Sequence, residues 1–178
     1  VASTSSQDVS PNTGDLEDFI MAHNRLKLMR FYLVGPMDYD RESGREWRED
    51  LGEWLISRKA LPMDQYNKPK LDLHADGLED ADTYEMRTAA ISFGDYKEAQ
   101  RLTKPIVSLD LRMVDESSAI VCNLDLDKRP CGTWDETFMA AGQQKPIVIH
   151  CPQGVKNIPD WMFGRLPYEC FFDTWPDV

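Results

Sequence analysis

Ser118-Ala119-Ile120-Val121-Cys122-Asn123-Leu124-Asp125-Leu126-Asp127-Lys128-Arg129-Pro130-Cys131-Gly132-Thr133-Trp134-Asp135-Glu136 passes from an apolar run through a polar loop into a helical pattern that begins at Thr133. A run that is apolar at nearly every position, rather than at alternate ones, fits a strand buried on both faces, as strands of parallel sheets are. In such sheets the loop at the carboxyl end of a strand opens on the crevice where ligands dock, because the first N–H groups of the next helix are unpaired and point at it. The spacing therefore predicts Glu136 on the first turn of a helix that borders a crevice.

Outward from this stretch the chain keeps alternating. Downstream, the helix from Thr133 to Gln143 leads into a second apolar run, Lys145 to His150, then a loop, a short helix over 158–166 and a last strand over 168–173. Upstream, Phe31-Tyr32-Leu33-Val34 is a buried strand stopped by Gly35-Pro36, and Asp38 to Ser43 is the loop after it. From Gly44 to Lys59, Trp47, Leu51, Trp54 and Leu55 recur every three or four residues among charged ones, which predicts an amphipathic helix. Ala60 to Met63 is a brief strand, and 64–102 is a long excursion that ends in a helix from Thr83 to Leu102, weakened at Ser92 and Gly94. Lys104-Pro105 then opens a separate helix to Asp115, with the proline in its first turn. The pattern predicts an α/β chain: a Rossmann-like single domain over 29–178, with a mostly parallel five-stranded sheet and helices on both faces.

Residues 1–14 hold too little apolar surface to order themselves, and Asp15 to Leu28 carries Leu16, Phe19, Ile20, His23 and Leu26 at helical spacing. Residues 1–28 are thus expected to be a peripheral tail and short helix, with 15–28 available to a protein partner. Pro176-Asp177-Val178 looks like a helix beginning, so a terminal helix is expected to be missing from the sequence. With 178 residues the chain can bury about 70% of its unfolded surface in one core. Its 31 acidic against 20 basic residues give a net charge of -11, which repels nucleic-acid backbones and anionic membranes. There is no apolar run of membrane length and no signal-like amino terminus, so a soluble cytoplasmic protein is expected. The four cysteines show no CxxC spacing and the three histidines stand singly, so no metal and no cofactor are expected. Cys122 and Cys170 read as buried hydrophobes, whereas Cys131 sits at a helix start, where a thiolate would be stabilised.

Two carboxylates stand out. Thr133-Trp134-Asp135-Glu136 satisfies the capping-box pattern, worth on the order of 1 kcal/mol, which accounts for Thr133 and Glu136 without chemistry. Ile106, Asp110 and Val114 share one helical stripe, so Asp110 lies inside an apolar face, where a carboxylate is partnered, protonated or lining a cavity. Gly132 lets a ligand approach the backbone, and Tyr32 ends the first strand. Arg41, Arg45 and Arg48 lie near the first loop, where they either meet a phosphate or cover a solvated helix face.

Phe31-Tyr32-Leu33-Val34-Gly35-Pro36, Asp110-Leu111 ahead of the strand Ile120 to Leu124, Gly132-Thr133 with Glu136, Ala140-Ala141 and Lys145-Pro146-Ile147-Val148 together resemble the nucleoside 2-deoxyribosyltransferase family, including its nucleoside monophosphate N-glycosidase branch. The resemblance spans about Arg30 to Phe172. It implies a small nucleoside or nucleotide substrate, Glu136 as nucleophile at the anomeric carbon, Asp110 as the group handling the proton of the base, and Tyr32 as the residue orienting Glu136. It also implies substrate contacts from Gly35, Pro36 and Asp38, from Asn123 and Asp125, and from Gly132 and Thr133, in a homo-oligomer whose neighbouring subunit helps close the pocket. The chain departs from the family where sugar-transferring members carry an acidic residue shortly before the glycine: Pro130 and Cys131 stand there, with Asp125 or Asp127 as the available substitutes. Two other readings stay open. One is a phosphoribohydrolase of the cytokinin-activating type, whose glycine-rich signature Pro130, Gly132, Thr133 and Glu136 match in part. The other is a non-catalytic nucleotide-binding or structural module on the same fold.

Overall fold

The computed structural model of the chain describes residues 24–37, 43–67, 81–128 and 130–175. Strands β1 (Arg30–Val34), β2 (Leu61–Asp64), β3 (Ala119–Asn123), β4 (Ile147–His150) and β5 (Phe171–Phe172) alternate with helices α1 (Ser43–Ser57), α2 (Ala81–Ser92), α3 (Tyr96–Glu116), α4 (Cys131–Gly142) and α5 (Asp160–Phe163). The sheet has the order β2-β1-β3-β4-β5, and every pairing in it is parallel. Sequence order reverses between β1 and β3, and in open α/β sheets the crevice outside the carboxyl ends of the strands at such a reversal is the preferred place for a ligand.

Alternation along the strands divides the core between the two faces of the sheet. Tyr32, Val34, Ile120, Cys122, Ile147 and Ile149 pack with Met113 and Val114 of α3, Ala140 of α4 and Met162 of α5. Phe31, Leu33, Ala119 and Val121 pack on the other face with Leu55 of α1, and Trp47, Leu51 and Trp175 close over them. Both layers bury every β3 residue from Ala119 to Cys122, which is why that strand reads as unbroken apolar sequence. Burial raises the Cys122 thiol to about 12, so it behaves as a small hydrophobe.

Several boundaries differ from the sequence expectation, among them the helix expected over 158–166, which spans only Asp160–Phe163. The break between α2 and α3 falls at Gly94, whose φ of 76° suits glycine, and at Asp95, whose carboxylate caps α3 by accepting from the Glu98 N–H at 3.0 Å. Pro105 consequently lies inside α3 instead of opening a helix, at the loss of one ladder hydrogen bond. Helix α4 begins at Cys131, two residues earlier than the periodicity suggests, after Pro130. The last strand is only Phe171-Phe172, preceded by a 3-10 turn over Tyr168–Cys170. The expected helix at 15–28 lies mostly outside the described residues, as do Asp38, Arg41, 68–80 of the excursion and 176–178.

Candidate active site

Tyr32 points from β1 onto the face covered by α3 and α4, and it is completely buried. Its hydroxyl donates to Glu136 Oε1 of α4 at 2.8 Å. Gln65, in the 3-10 turn that follows β2, donates its amide Nε2 to the Tyr32 hydroxyl at 2.7 Å and to the same Glu136 oxygen at 2.8 Å. Only 4% of Glu136 is exposed, so these donors hold its carboxylate in a largely dehydrated setting, where charge-assisted hydrogen bonds are strong.

Beneath Gln65 lies Arg48, 1% exposed on α1. Its Nη2 donates to the Gln65 carbonyl at 3.3 Å and to the Gly35 carbonyl at 2.9 Å, its Nη1 donates to the Gly44 carbonyl, and its Nε lies 3.5 Å from the Asp64 carboxylate. Burial pulls this guanidinium below its usual value, while Asp64, Tyr66, Tyr32 and Glu136 oppose the shift. Tyr32 moves in the reverse sense for a phenol. Burial, then the negative charges of Glu136 and Asp110, and then the bond to Glu136 hold its proton well above the ordinary tyrosine range, while the Gln65 bond pulls the other way. Tyr32 is therefore a neutral donor at any physiological pH.

Glu136 and Gln65 border a cavity of about 590 Å³, lined also by Gly35, Pro36 and Met37 after β1, by Arg87 of α2, by Thr103, Ile106, Val107, Asp110 and Leu111 of α3, and by Cys131 to Asp135 of α4. Its size suits a small organic molecule. Asp110 is buried on the stripe with Ile106 and Val114 and reaches the same cavity. The structure thus gathers Glu136, Asp110, Gly35, Pro36, Gly132 and Thr133 on one wall-to-wall lining, with Tyr32 directly behind Glu136. Among the described residues, no group of three or more His, Cys, Asp or Glu could hold a metal ion.

Other expected residues lie elsewhere. The Asn123 side chain meets His150 Nδ1 at 2.9 Å, and His150 packs on Trp175, on the opposite side of the sheet from Tyr32. The Asp125 carboxylate accepts from Gln153 Nε2 at 2.7 Å and from the Asp127 N–H at 3.0 Å. Neither residue lines the cavity. The capping box is absent: no side chain caps α4, and Thr133 lies within the helix, its carbonyl accepting from the Thr137 hydroxyl at 2.6 Å. Glu136 occupies the second turn and reaches Tyr32 and Gln65 instead of its own helix start. Arg48 is neither a phosphate ligand nor a solvated residue, because its guanidinium is consumed below the cavity. Arg45 lies over the Tyr66 ring at 4.8 Å and is not part of the lining.

No family model matches the chain, and no curated protein sequence does. A solved structure does, that of the 2-deoxyribosyltransferase from the psychrotolerant bacterium Bacillus psychrosaccharolyticus, with a TM-score of 0.54 over 84% of this chain and 89% of that one. The shared fold is 2-deoxyribosyltransferase-like. Sequence identity across that fold is 14%, so the likeness is one of backbone architecture. Within this 2-deoxyribosyltransferase-like fold, sequence reasoning overlooked Gln65 and Arg87, and it named Arg48 only as a phosphate contact or a solvated residue, not as a buried one. A signal for Arg48 was present, since it shares a stripe with the buried Gly52 and Leu55 just as Asp110 does with Ile106 and Val114. Gln65 immediately follows a strand at its carboxyl end, the position where site residues concentrate in α/β folds.

Proposed function

We propose that the protein is an enzyme acting on the N-glycosidic bond of a 2′-deoxynucleoside or its 5′-monophosphate, with Glu136 as nucleophile, Asp110 as acid and base, and Tyr32 as the residue that orients Glu136. The observation that carries this reading is the bond from the buried Tyr32 hydroxyl to Glu136 at 2.8 Å beside a cavity that Asp110 also lines. A Glu136 carboxylate oxygen attacks the anomeric carbon, forming a C–O bond as the C–N bond breaks, and the departing electron pair stays on the base nitrogen, which takes a proton from Asp110. An acceptor base or water then attacks the same carbon and gives its proton to Asp110, and the C–O bond electrons return to Glu136. Two carboxylates in unlike settings suit this division of labour: Glu136 takes two hydrogen-bond donors, whereas Asp110 sits among apolar neighbours on α3.

Gly35, Pro36, Gly132 and Thr133 are the proposed substrate contacts, joined by Asp38 from the first loop. A homo-oligomer of cytoplasmic location fits the reading, and exposed Ile91, Phe93 and Tyr96 at the α2–α3 junction are apolar groups that a second copy could cover. Incubation with deoxynucleosides and deoxynucleoside monophosphates, with and without an acceptor base, tests the activity. Free base or exchanged nucleoside is the expected product. No product from any member of the panel would return the chain to the class of non-catalytic binding modules.

A further inference from the structure

Resting on the glycosyl-transfer reading above, we propose that Arg48 is a positioning residue: its buried guanidinium fixes which way the Gln65 amide faces, and through that amide it fixes the carboxylate of Glu136. The two ends of an amide differ in chemistry but little in shape, so its orientation is set by its neighbours. Arginine has donors only, so the end of Gln65 that faces Arg48 Nη2 at 3.3 Å is the carbonyl. The NH₂ end is therefore the one that meets the Tyr32 hydroxyl at 2.7 Å and Glu136 Oε1 at 2.8 Å. Reversal would set the amide oxygen against the Glu136 carboxylate and N–H groups against N–H groups. Tyr32, having accepted from Gln65, has its single proton left for Glu136. Donation thus runs in one direction, from Arg48 through Gln65 and Tyr32 to Glu136.

Arg48 is itself held against rotation. It bonds the Leu33, Gly35 and Gly44 carbonyls at the carboxyl end of β1 and the start of α1, faces Asp64, and lies over the Trp47 ring at 4.6 Å. A guanidinium taken so far out of water is costly unless it is fully paired, and it does not line the cavity, so it touches no substrate. Packing alone would be served by an apolar side chain on this stripe, beside Gly52 and Leu55. The guanidinium adds a fixed row of donors aimed at one face of Gln65.

The test compares wild type with Arg48→Met, Arg48→Lys, Gln65→Leu, the two double variants and Glu136→Ala, each first shown folded by circular dichroism. On a deoxynucleoside, Gln65→Leu is expected to lower kcat by about 10- to 100-fold with KM within about 2-fold, as loss of an outer-shell partner does. Arg48→Met should lower kcat by about 10-fold, and Arg48→Lys by less; either change made on top of Gln65→Leu should cost no more than about 2-fold further, because its route is already cut. Losses that multiply in the double variants, or an Arg48→Met protein that melts earlier with kcat unchanged, overturn the proposal. Should Arg48→Met not fold, the Arg48→Lys cycle decides by the same criterion. A crystal structure of Arg48→Met reads the same point without activity: the Gln65 amide and Glu136 carboxylate should be displaced from Tyr32, and their staying in place overturns the proposal. Absence of turnover by the wild type, or full activity of Glu136→Ala, contradicts the glycosyl-transfer reading instead and leaves that crystal structure to decide this one.

Discussion

Tyr32→Phe removes one oxygen and one proton from the centre of the site while keeping the ring that fills the core under α3 and α4. In the wild type that hydroxyl is one of two donors on Glu136 Oε1, at 2.8 Å, and it accepts from Gln65 at 2.7 Å. A hydrogen bond to a charged group contributes about 1.5–3 kcal/mol, so if Glu136 must be held ionised and aimed, kcat/KM should fall by about 10- to 150-fold. Stability should change in a pH-dependent way. Because the folded protein holds the Tyr32 proton well above the ordinary value of about 10, the stabilisation linked to that proton is complete below this value and is lost as pH rises through the higher folded value. The wild type should therefore lose melting temperature above about pH 10, and the Phe variant should lose less. Steady-state kinetics on a deoxynucleoside and thermal melts on both sides of that pH supply the two readings. A variant with kcat/KM within about 2-fold of wild type would refute the idea that this hydrogen bond prepares Glu136.

Asp110→Asn should slow nucleosides with poor leaving bases more than those with activated ones, measured as kcat across a series of base analogues, because only the former need the proton. Gly35→Ala would set a new methyl 3.0 Å from Trp47 Cζ2, 3.2 Å from the Asn123 carbonyl and 3.3 Å from Arg48 Nη2, so a loss of about 1–3 kcal/mol is expected in denaturant unfolding. In thiol labelling under native conditions, exposed Cys131 should react, while Cys122, pushed up to about 12 by burial, should label only on unfolding. Rapid labelling of Cys122 in the folded protein would mean that the β3 core opens readily.

The parallel sheet was legible because β1, β3 and β4 are covered on both faces, and double burial leaves continuous apolar runs that few other structures produce. Asp110 was legible for a related reason, since a charge on an apolar stripe demands an explanation. Arg48 carried the same mark and was assigned to phosphate or solvent, because an arginine near a loop suggests either before it suggests burial. The start of α4 was misplaced because Thr133 and Glu136 imitate a capping box. In the fold, Pro130 needs no N–H partner and the helix begins directly after it, which turns Glu136 toward Tyr32. Gln65 had only its place after a strand end to mark it: its role exists because β2 lies beside β1 and brings the turn after β2 against Tyr32. Asn123 ends a strand at the correct edge of the sheet, yet its side chain belongs to the His150 and Trp175 layer, and a strand end alone does not say which face a residue serves.

A covalent sugar on Glu136 tests the central claim most directly. Protein mixed with a deoxynucleoside, quenched in acid and digested should show the peptide containing Glu136 carrying one deoxyribosyl group, with no such adduct in Glu136→Ala. Turnover that persists in Glu136→Ala, or an adduct on any other residue, would contradict the account.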